Sequence, residues 1–599
     1  MTQPEGTRTS RRVGLSSLGT VLSGLVRTLG RFPLPLGCAL VWAGIAIGLE
    51  HGVDRGETKL PEQLQVLCLL GVFWTLATKL FAERRSWPVL WHLPLAAAGL
   101  ALLGLRVFTG AQTWNPFSNP TVLLLGPGMV LLMMVAPFLS AKSDDAALWD
   151  FNRAGWVSAA FGLLVAFIVG VGLSLAFGAA EELLVELPNH VYADIWIICL
   201  SVIWPWQALS GIPRSFERPE GEFCPRWLAF LISYLLVPLA LLYFVILYLY
   251  MAKILVQWEL PKGQVGFIVS GYGTFGAAAH VLTYPLRESG NRLVRVFHRH
   301  FYHALYAPIV LLVVAVGVRI SDYGITENRY ALLLFALWLA GMALVFTFWT
   351  GRRLVIVPLS LAVLLVAASF GPWGASGVST SSQLARLEQL LAANGIIVER
   401  RIAPAKQPAD REQMRRISAL VDYFWDSGKL EVLRGRLDEG GVRFPLDTDK
   451  SEIMASLGLK YIAQWDDASY FAYRTPQEIT LDVSEFDILT SLAFANTISR
   501  ELAAEGSGWS YSVDFDSEGG TLTVRGAAGE KIVYDLRALA ERLRLESNDD
   551  HEISGKLMTL EGRSGKLRAR VLVESLHGQI ENGVAIVNYI DAMILIGRD

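Results

Sequence analysis

The sequence predicts a polytopic α-helical membrane protein with about eleven transmembrane helices and a C-terminal extracytoplasmic α+β domain. The chain is 53% hydrophobic and has a mean hydropathy of +0.40, which excludes an ordinary soluble globular protein. Its long apolar runs all lie within residues 1–370, which carry a formal charge of +6, whereas residues 371–599 carry −9. Beyond about Tyr461 the apolar period changes to two, which is typical of strands.

Residues 1–31 are predicted to form a cytoplasmic basic segment that contains an amphipathic helix. The pair Arg11-Arg12 precedes leucines whose spacing of three or four residues places them on one helical face. They are Leu15, Leu18, Leu22, Leu25 and Leu29. A helix of this kind lies in the membrane interface with its apolar face towards the lipid.

Residues 32–370 are predicted to be the transmembrane domain, because they hold eleven apolar runs of nearly spanning length. About 20 helical residues cross the hydrocarbon layer of a bilayer. The run that contains Asp194 and Pro205 is the least secure span. If it did not cross the membrane, every later segment would lie on the opposite side. The eleven runs are 33–49, 63–81, 88–106, 120–140, 155–178, 189–209, 227–251, 264–283, 302–319, 330–348 and 353–370.

The distribution of Lys and Arg predicts a cytoplasmic N-terminus. With eleven spans, the segments on the N-terminal side of the membrane hold 19 basic residues and those on the other side hold 7. Basic segments are retained on the cytoplasmic side during insertion. An odd number of spans therefore places residues 371–599 and the link 319–329 on the extracytoplasmic side.

Residues 371–382 are rich in Gly and Ser and predict a hinge, and residues 383–599 predict a soluble acidic α+β domain. An amphipathic helix is expected to follow the hinge and to stop at Asn394-Gly395, and a second helical pattern covers Asp410–Asp426. The segment DLRALAERL predicts a helix among short alternating strands, and FDILTSLAFANTISREL fits either structure. The strands include YFAYR, ITLDV, YSVDF, TLTVR, KIVYDL, ARVLVES and AIVNYI.

The link between the ninth and tenth apolar runs is the first candidate for a functional or docking site. Its eleven residues concentrate charged and polar side chains at a predicted membrane surface. They include Arg319, Asp322, Tyr323, Thr326, Glu327, Asn328 and Arg329. They fit a charge network that locks two helices, a polar mouth for an ion or solute, or a hairpin capped by Thr326 and Asn328. We expect the link to dock the acidic domain onto the membrane bundle.

Three polar residues within apolar runs are candidate intramembrane sites: Asp194, Tyr272 and His280. A charge or an unpaired polar group in a bilayer is costly and is often functional. A transporter would bring them together in a cavity at the middle of the membrane, whereas a receptor would have a closed bundle. Tyr272 and His280 also share a run with several small residues, which is typical of close helix packing.

The sequence predicts no metal site, cofactor, catalytic residue or nucleic-acid partner. The histidines of HRHFYH, which are His298, His300 and His303, are interpreted as basic anchors at the cytoplasmic face, because no carboxylate or cysteine adjoins them. The four cysteines form no CxxC pair, and the acidic C-terminal part is unsuited to nucleic acid. The bilayer is the one predicted partner, and an enzyme has no positive support.

The segment RISDYGITENRYALLLFALWL resembles a family of bacterial integral-membrane proteins catalogued as domain of unknown function four-one-five-three. The shared signature is Tyr-Gly-(Ile/Leu)-Thr-Glu-x-Arg-Tyr, which is Tyr323–Tyr330 here. A Ser-Gln-x-x-(Arg)-Leu helix after the last span is also similar, and Ser382, Gln383 and Leu387 carry it. The resemblance implies a multi-pass protein of the bacterial inner (plasma) membrane, and it implies no activity and no catalytic residue.

Three functions agree with these features. The first is a non-enzymatic membrane protein whose envelope-side domain senses or binds a ligand. The second is a multi-span transporter or permease with an accessory extracytoplasmic domain. The third is a membrane-embedded enzyme, which would need a carboxylate or histidine cluster assembled from distant segments.

Overall fold

A computed structural model describes the chain, which divides into two compact units. Unit 1 contains Met1–Ala393, Ile397–Ile402 and Tyr423–Arg443, and unit 2 contains Asn394–Ile396, Ala403–Asp422 and Phe444–Asp599. The described residues are 24, 26–52, 60–109, 120–139, 144–184, 187–188, 190–217, 224–258, 264–349, 353–398, 401–402, 410–441, 449–462, 470–475, 483–495, 498–503, 510–517, 519–526, 528–546, 553–581 and 584–598. Most of the predicted amphipathic segment 1–31 lies outside them.

Unit 1 is mainly helical, and eight helical runs in the described ranges are long and apolar enough to cross a membrane, of which one, Arg292–Tyr323, contains two helices. Two shorter apolar helices, Val122–Phe138 and Ile356–Ala368, accompany them. A polytopic helical membrane protein is thereby confirmed, while the count of eleven spans remains a prediction. The helices are α1 (Pro33–Glu50), α2 (Leu60–Arg84), α3 (Val89–Thr109), α4 (Pro120–Val135), α5 (Asp145–Leu183), α6 (His190–Ser210), α7 (Arg226–Gln257), α8 (Gln264–Leu282), α9 (Arg292–Ala304), α10 (Tyr306–Tyr323), α11 (Glu327–Phe348) and α12 (Ile356–Ala368).

Polar contacts join the helix ends of unit 1 into two sets, one at each end of the bundle. In the first set, Arg31 before α1 bonds to Glu83 at the end of α2, with 3.0 Å between Nε and Oε1. Its Nη1 also donates to the carbonyl of Ile212, just after α6, at 2.6 Å. At the starts of α5 and α12, the carboxylate of Asp145 accepts the backbone N–H of Leu354 at 2.8 Å.

The second set lies at the opposite ends of α1, α6 and α12 and also includes the end of α3. His51, which follows α1, contacts Asp194 near the start of α6, with 2.8 Å between Nε2 and Oδ2. Arg106 near the end of α3 donates to the carbonyl of Ser369, just after α12, at 2.6 Å. Helices α1 and α6 therefore have one end in each set and run in opposite directions through the bundle.

The predicted run 189–209 is one helical run over α6, although its hydrogen bonding is irregular. A π-helical turn occupies Cys199–Ile203 and ends two residues before Pro205. The same arrangement recurs in α7, where a π turn at Ile232–Leu236 precedes Pro238. Proline donates no backbone N–H, so the turn before it changes its hydrogen-bond pattern and the helix continues.

The predicted basic entry to the ninth run is a separate amphipathic helix, α9. Val294, Phe297 and Phe301 are buried along one face, while its arginines are exposed. The apolar helix α10 begins only at Tyr306, two residues after α9 ends.

The segment 371–382 does not form the hinge predicted over its full length. Helix α13 spans Ala375–Ala393, so most of the segment is helical. Its hydroxyls bond within the helix: Ser379 Oγ donates to the carbonyl of Ala375 at 2.5 Å, and Ser381 Oγ to that of Gly377 at 2.9 Å. The Gly- and Ser-rich composition indicated a flexible segment. Composition does not show that these hydroxyls bond to the carbonyl four residues earlier in a helix. The predicted end of the helix is confirmed by Gly395, whose φ is +69°.

Beyond α13, unit 1 contains a short hairpin of β1 (Ile397–Val398) and β2 (Arg401–Ile402), and the helix α15 (Leu430–Glu439). Helix α14 spans Arg411–Asp426, and the division between the units falls inside it, after Asp422.

Unit 2 is an α+β body in which every described strand pair is antiparallel. One sheet has the order β3-β10-β11-β4, with β9 also paired to β10, and a second has the order β5-β6-β7-β8. The ambiguous segment forms the strands β4 and β5, and most of ITLDV lies outside the described residues. The elements are α16 (Lys450–Ser456), β3 (Tyr470–Arg474), β4 (Ile488–Ala495), β5 (Ile498–Ala503), β6 (Ser510–Asp516), β7 (Thr521–Gly526), β8 (Lys531–Asp535), α17 (Leu536–Glu546), β9 (Thr559–Ser564), β10 (Leu567–Glu581) and β11 (Val584–Arg598).

Close packing of α2 against α3 leads to the first prediction. Trp74 Nε1 donates to the carbonyl of Ala96 at 3.0 Å, and a Cβ on Gly99 would overlap the indole ring. The substitution Gly99→Ala should therefore destabilise unit 1 by about 1–3 kcal/mol, as overpacking does. Thermal unfolding of the detergent-solubilised protein measures this loss. Gly155→Ala in α5 is the control, since its Cβ would meet no atom within 4 Å. Equal melting temperatures for the two variants would contradict the prediction.

Candidate functional site

The link between α10 and α11 is a tight turn. Helix α10 ends at Tyr323, and the N–H of Gly324 donates to the carbonyl of Ile320 at 2.8 Å. Gly324 has a φ of +72°, a conformation that side chains with a Cβ rarely adopt. Helix α11 begins three residues later, at Glu327. The glycine thus allows the chain to reverse between two apolar helices within a few residues.

Side chains of α13 hold the backbone of this turn, and we call them the clamp: Ser382, Gln383 and Arg386. Ser382 Oγ accepts the N–H of Ile325 at 2.9 Å. Gln383 Nε2 donates to the carbonyls of Tyr323 and Ile325 at 3.2 and 2.8 Å. Gln383 is buried, and a buried carbonyl without a donor costs about 1–3 kcal/mol. The clamp therefore satisfies backbone groups that the helix ends leave open.

The carboxylate of Glu327 belongs to a buried polar network. Lys429 Nζ bonds to Glu327 Oε1, to the hydroxyl of Tyr423 at 2.9 Å and to the carbonyl of Ser376 at 3.4 Å. The Tyr423 hydroxyl in turn donates to Glu327 Oε1 at 2.9 Å. The Lys429 side chain is 5% exposed and that of Glu327 is 14% exposed. All three donors of the ammonium group thus have an acceptor away from water.

Burial determines the electrostatics of this network. It lowers the pKa of the Lys429 ammonium, and the Glu327 carboxylate opposes this change by favouring the charged form. It also raises the pKa of the Tyr423 phenol, which keeps the hydroxyl protonated as a donor. Removing either charge would leave the other buried without a partner, which costs far more than losing an exposed ion pair.

The predicted charge network among the link's own side chains is not formed in the described structure. Asp322 is exposed, and its backbone carbonyl accepts from the clamp residue Arg386. Arg329 donates to the carbonyls of Tyr323 and Gly324 at 3.2 and 2.8 Å, and its guanidinium lies 5.4 Å from the centre of the Tyr323 ring. Arg329 therefore bonds to the local backbone. Glu327, the buried acidic residue of the link, pairs with Lys429 outside the link.

Thr326 has the predicted N-cap position of α11, with an extended backbone, but the predicted capping hydrogen bond is not formed. Asn328 already lies inside the first turn and is exposed. The first turn has the negative charge of Glu327 instead, which stabilises a helix N-terminus. Arg319 is half-buried in the last turns of α10.

The three candidate intramembrane residues lie in three different surroundings. Asp194 contacts His51 in the second set of helix ends. Tyr272 is buried and stacks on Tyr243, with 5.6 Å between ring centres. His280 is buried near the first set of helix ends, where it lines a cleft with Asp145. The fold therefore does not bring the three residues into one cavity.

The cleft beside His280 has a volume of about 500 Å³. The rings of His280 and His298 stack with 4.2 Å between their centres, whereas His300 and His303 are exposed. The HRHFYH motif is therefore divided between the cleft and the surface, and its histidines do not form one group. The titratable or charged residues that line the cleft include Asp145, His280, Arg287, Glu288, His298 and Arg299.

These observations define a polytopic helical membrane protein in which a helix after the last apolar run clamps a turn between two earlier ones. The chain belongs to the family described as Domain of unknown function (DUF4153), whose model matches residues 37–397. The match includes both halves of the resemblance, Tyr323–Tyr330 and the clamp, and the structure brings the two into contact. The resemblance is confirmed.

One curated relative is an uncharacterized protein of Pasteurella multocida (strain Pm70), which is 32% identical over 280 residues. The aligned part is 45% of this chain and 47% of the relative, so the chain spans about half of that relative's length. No solved structure matches the chain.

Sequence reasoning missed the residues that complete the site. Lys429 and Tyr423 lie about a hundred positions after Glu327 and carry no local motif. No local sequence signal marks Lys429 as buried, and its need for an acidic partner follows from the burial that the structure shows. The resemblance had already singled out Ser382 and Gln383 without a role.

The buried network leads to a prediction about stability. Lys429→Met should destabilise unit 1 by about 3–5 kcal/mol, because it leaves the Glu327 carboxylate buried without a counter-charge. The double variant Glu327→Gln/Lys429→Met should recover much of the loss. Arg436→Met is a matched control, since Arg436 pairs with Glu388 at an exposed site in the same unit. Its cost should be below about 1 kcal/mol. Thermal unfolding in detergent measures all three, and equal losses for Lys429→Met and Arg436→Met would refute the prediction.

Proposed function

We propose that this protein is a non-enzymatic sensing or binding protein of the bacterial inner membrane, with its C-terminal domain in the envelope. The observation that carries the proposal is the contact between the clamp and the link. A transporter requires helices that move apart around a substrate, whereas this turn is fixed by bonds from α13. In the proposed protein the bundle is a scaffold, and the link docks the chain that follows the last span.

The two sets of helix ends support eleven crossings and the orientation. Arg31, Glu83, Asp145 and Leu354 lie in one set, as a cytoplasmic N-terminus and eleven spans require. The contact of Arg106 with Ser369 lies in the other set, where the same count places the ends of the third and eleventh spans. The excess of basic residues on the first side supports a cytoplasmic location for it.

This topology predicts the outcome of two reporter fusions. Alkaline phosphatase fused after Phe370 should be active, because it would reach the envelope, and a fluorescent protein there should stay dark. A fusion after Arg299 should give the reverse result, since that residue belongs to a basic cytoplasmic segment. Expression of each fusion is checked by immunoblot. A fluorescent fusion after Phe370 would overturn the orientation and the envelope location together.

The docking role predicts a local change in hydrogen exchange. Gln383→Ala removes the donor for the half-buried carbonyl of Ile325 and one of two donors for that of Tyr323, which should cost about 1 kcal/mol or more. Amide exchange in residues 320–330 and in α13 should accelerate roughly tenfold or more. Gln389→Ala is the matched control, because Gln389 is exposed on the same helix. Unchanged exchange in the Gln383 variant would show that the clamp does not hold the link.

A permease is the second candidate, and the cleft that contains His280 and His298 favours it. It is open to the proposed cytoplasmic face and carries both basic and acidic groups. Complementation of a deletion strain under envelope stress separates the two functions. A sensing protein should tolerate His298→Ala and fail with Lys429→Met, provided that both variants reach the membrane in equal amounts. A permease should fail with His298→Ala, and Lys429→Met does not distinguish the two functions because it destabilises unit 1.

A further inference from the structure

Three potential metal ligands from distant parts of the chain meet in the second set of helix ends. One nitrogen each of His51 and His190 and one carboxylate oxygen of Asp194 all lie within 4.8 Å of one another. The rings of the two histidines are 4.1 Å apart between centres and are inclined by 54°. His51 Nε2 lies 2.8 Å from Asp194 Oδ2. Two imidazoles and one carboxylate thus converge on a small volume.

The fold creates this arrangement from two helices. His190 is the first residue of α6, and Asp194 lies four residues later, so both side chains are on the same helical face. His51 is the C-cap of α1, and Gly52 follows it with a φ of +76°. The left-handed glycine ends the helix and keeps His51 at its tip. The ligands are therefore fixed to the ends of two packed helices and not to a loop.

A simple ion pair between His51 and Asp194 leaves two features without an explanation. The other carboxylate oxygen, Asp194 Oδ1, is buried and has no hydrogen-bond partner among the described residues. His190 lies against the same group, although one imidazolium would be sufficient to balance one carboxylate. A divalent cation accounts for both, since it accepts electron pairs from the two rings and the carboxylate together.

We propose that His51, His190 and Asp194 bind a divalent transition-metal ion of the Zn²⁺ class. A set of two histidines and one carboxylate fits such an ion in a site with three protein ligands and one open position. Ligand atoms of a tetrahedral Zn²⁺ site are about 3.3–3.6 Å apart, as bond lengths of about 2.0–2.2 Å require. The present separations bracket that value: His51 Nε2 and Asp194 Oδ2 are 2.8 Å apart, and the three ligand atoms lie within 4.8 Å of one another. A metal there replaces the proton between His51 and Asp194.

The site is accessible, which favours an exchangeable ion over a permanently enclosed one. The side chain of His51 is 37% exposed and that of Asp194 is 21% exposed. The ion would also join the end of α1 to the start of α6. Metal binding would thereby stabilise the packing of α1 against α6. If the proposed sensing function is correct, a divalent metal ion is the class of ligand that it would sense. The metal site nevertheless stands on its own geometry and does not require that function.

Zinc titration of the full-length protein tests the proposal. The protein is purified in detergent with a tag that contains no histidine, stripped with a chelator and titrated with Zn²⁺ in a calorimeter. The wild type should bind one ion per chain in this site. His51→Ala and Asp194→Asn should each weaken binding by roughly 100-fold or more, because loss of even an outer partner of a metal ligand costs about 10–100-fold. Folding of each variant is checked by its metal-free melting curve.

Two further variants separate a metal site from an ion pair and from surface binding. His303→Ala removes an exposed histidine from the other end of the bundle and should leave zinc binding unchanged. His51→Cys abolishes the ion pair but supplies a thiolate, which is a metal ligand. It should retain binding and show thiolate-to-cobalt charge-transfer absorption with Co²⁺. Equal zinc binding by wild type, His51→Ala and Asp194→Asn would overturn the proposal, as would a wild type that binds no zinc at micromolar concentration.

Discussion

The side-chain amide of Gln383 bridges two carbonyls in the turn between α10 and α11, and the organisation of this part of unit 1 depends on it. Two adjacent apolar helices leave open carbonyl and N–H groups where one ends and the next begins. In or near a bilayer, water is a poor partner for such groups. A helix from after the last apolar run supplies the partners here, so the end of the membrane part and the start of the following part are held by one set of bonds.

The buried pair of Glu327 and Lys429 follows from the same constraint. Once α13 covers the turn, the first carboxylate of α11 is removed from water and needs a cation nearby. Lys429 meets this need just before α15, and the Tyr423 hydroxyl completes the network. A buried ion pair of this kind contributes little net stability compared with an apolar contact, but it defines one arrangement. The network therefore specifies where α13 and α15 lie on unit 1.

Much of the fold was predictable because it depends on local pattern. The apolar runs, the strands β6 to β8 and the helix α17 are readable from composition and period. The link was recognisable from its density of charge, and Ser382 and Gln383 from the family resemblance. Pairings across long sequence separations were not predictable, because nothing near Glu327 specifies Lys429 and nothing near Asp194 specifies His51. Most of the predicted hinge is helical in α13, where its hydroxyls bond to carbonyls of their own helix.

The separation between Glu327 and Lys429 also has a consequence for biogenesis. The two residues are 102 positions apart, and the ribosome needs about 5–20 s to synthesise that length at 5–20 residues per second. For this interval the Glu327 carboxylate has been synthesised without the cation that later neutralises it. Maturation of this part of the bundle is therefore a late event that must wait for the chain beyond the last apolar helix. A chain that ends before Lys429 would hold the turn through α13 but would leave the Glu327 carboxylate buried without its counter-charge.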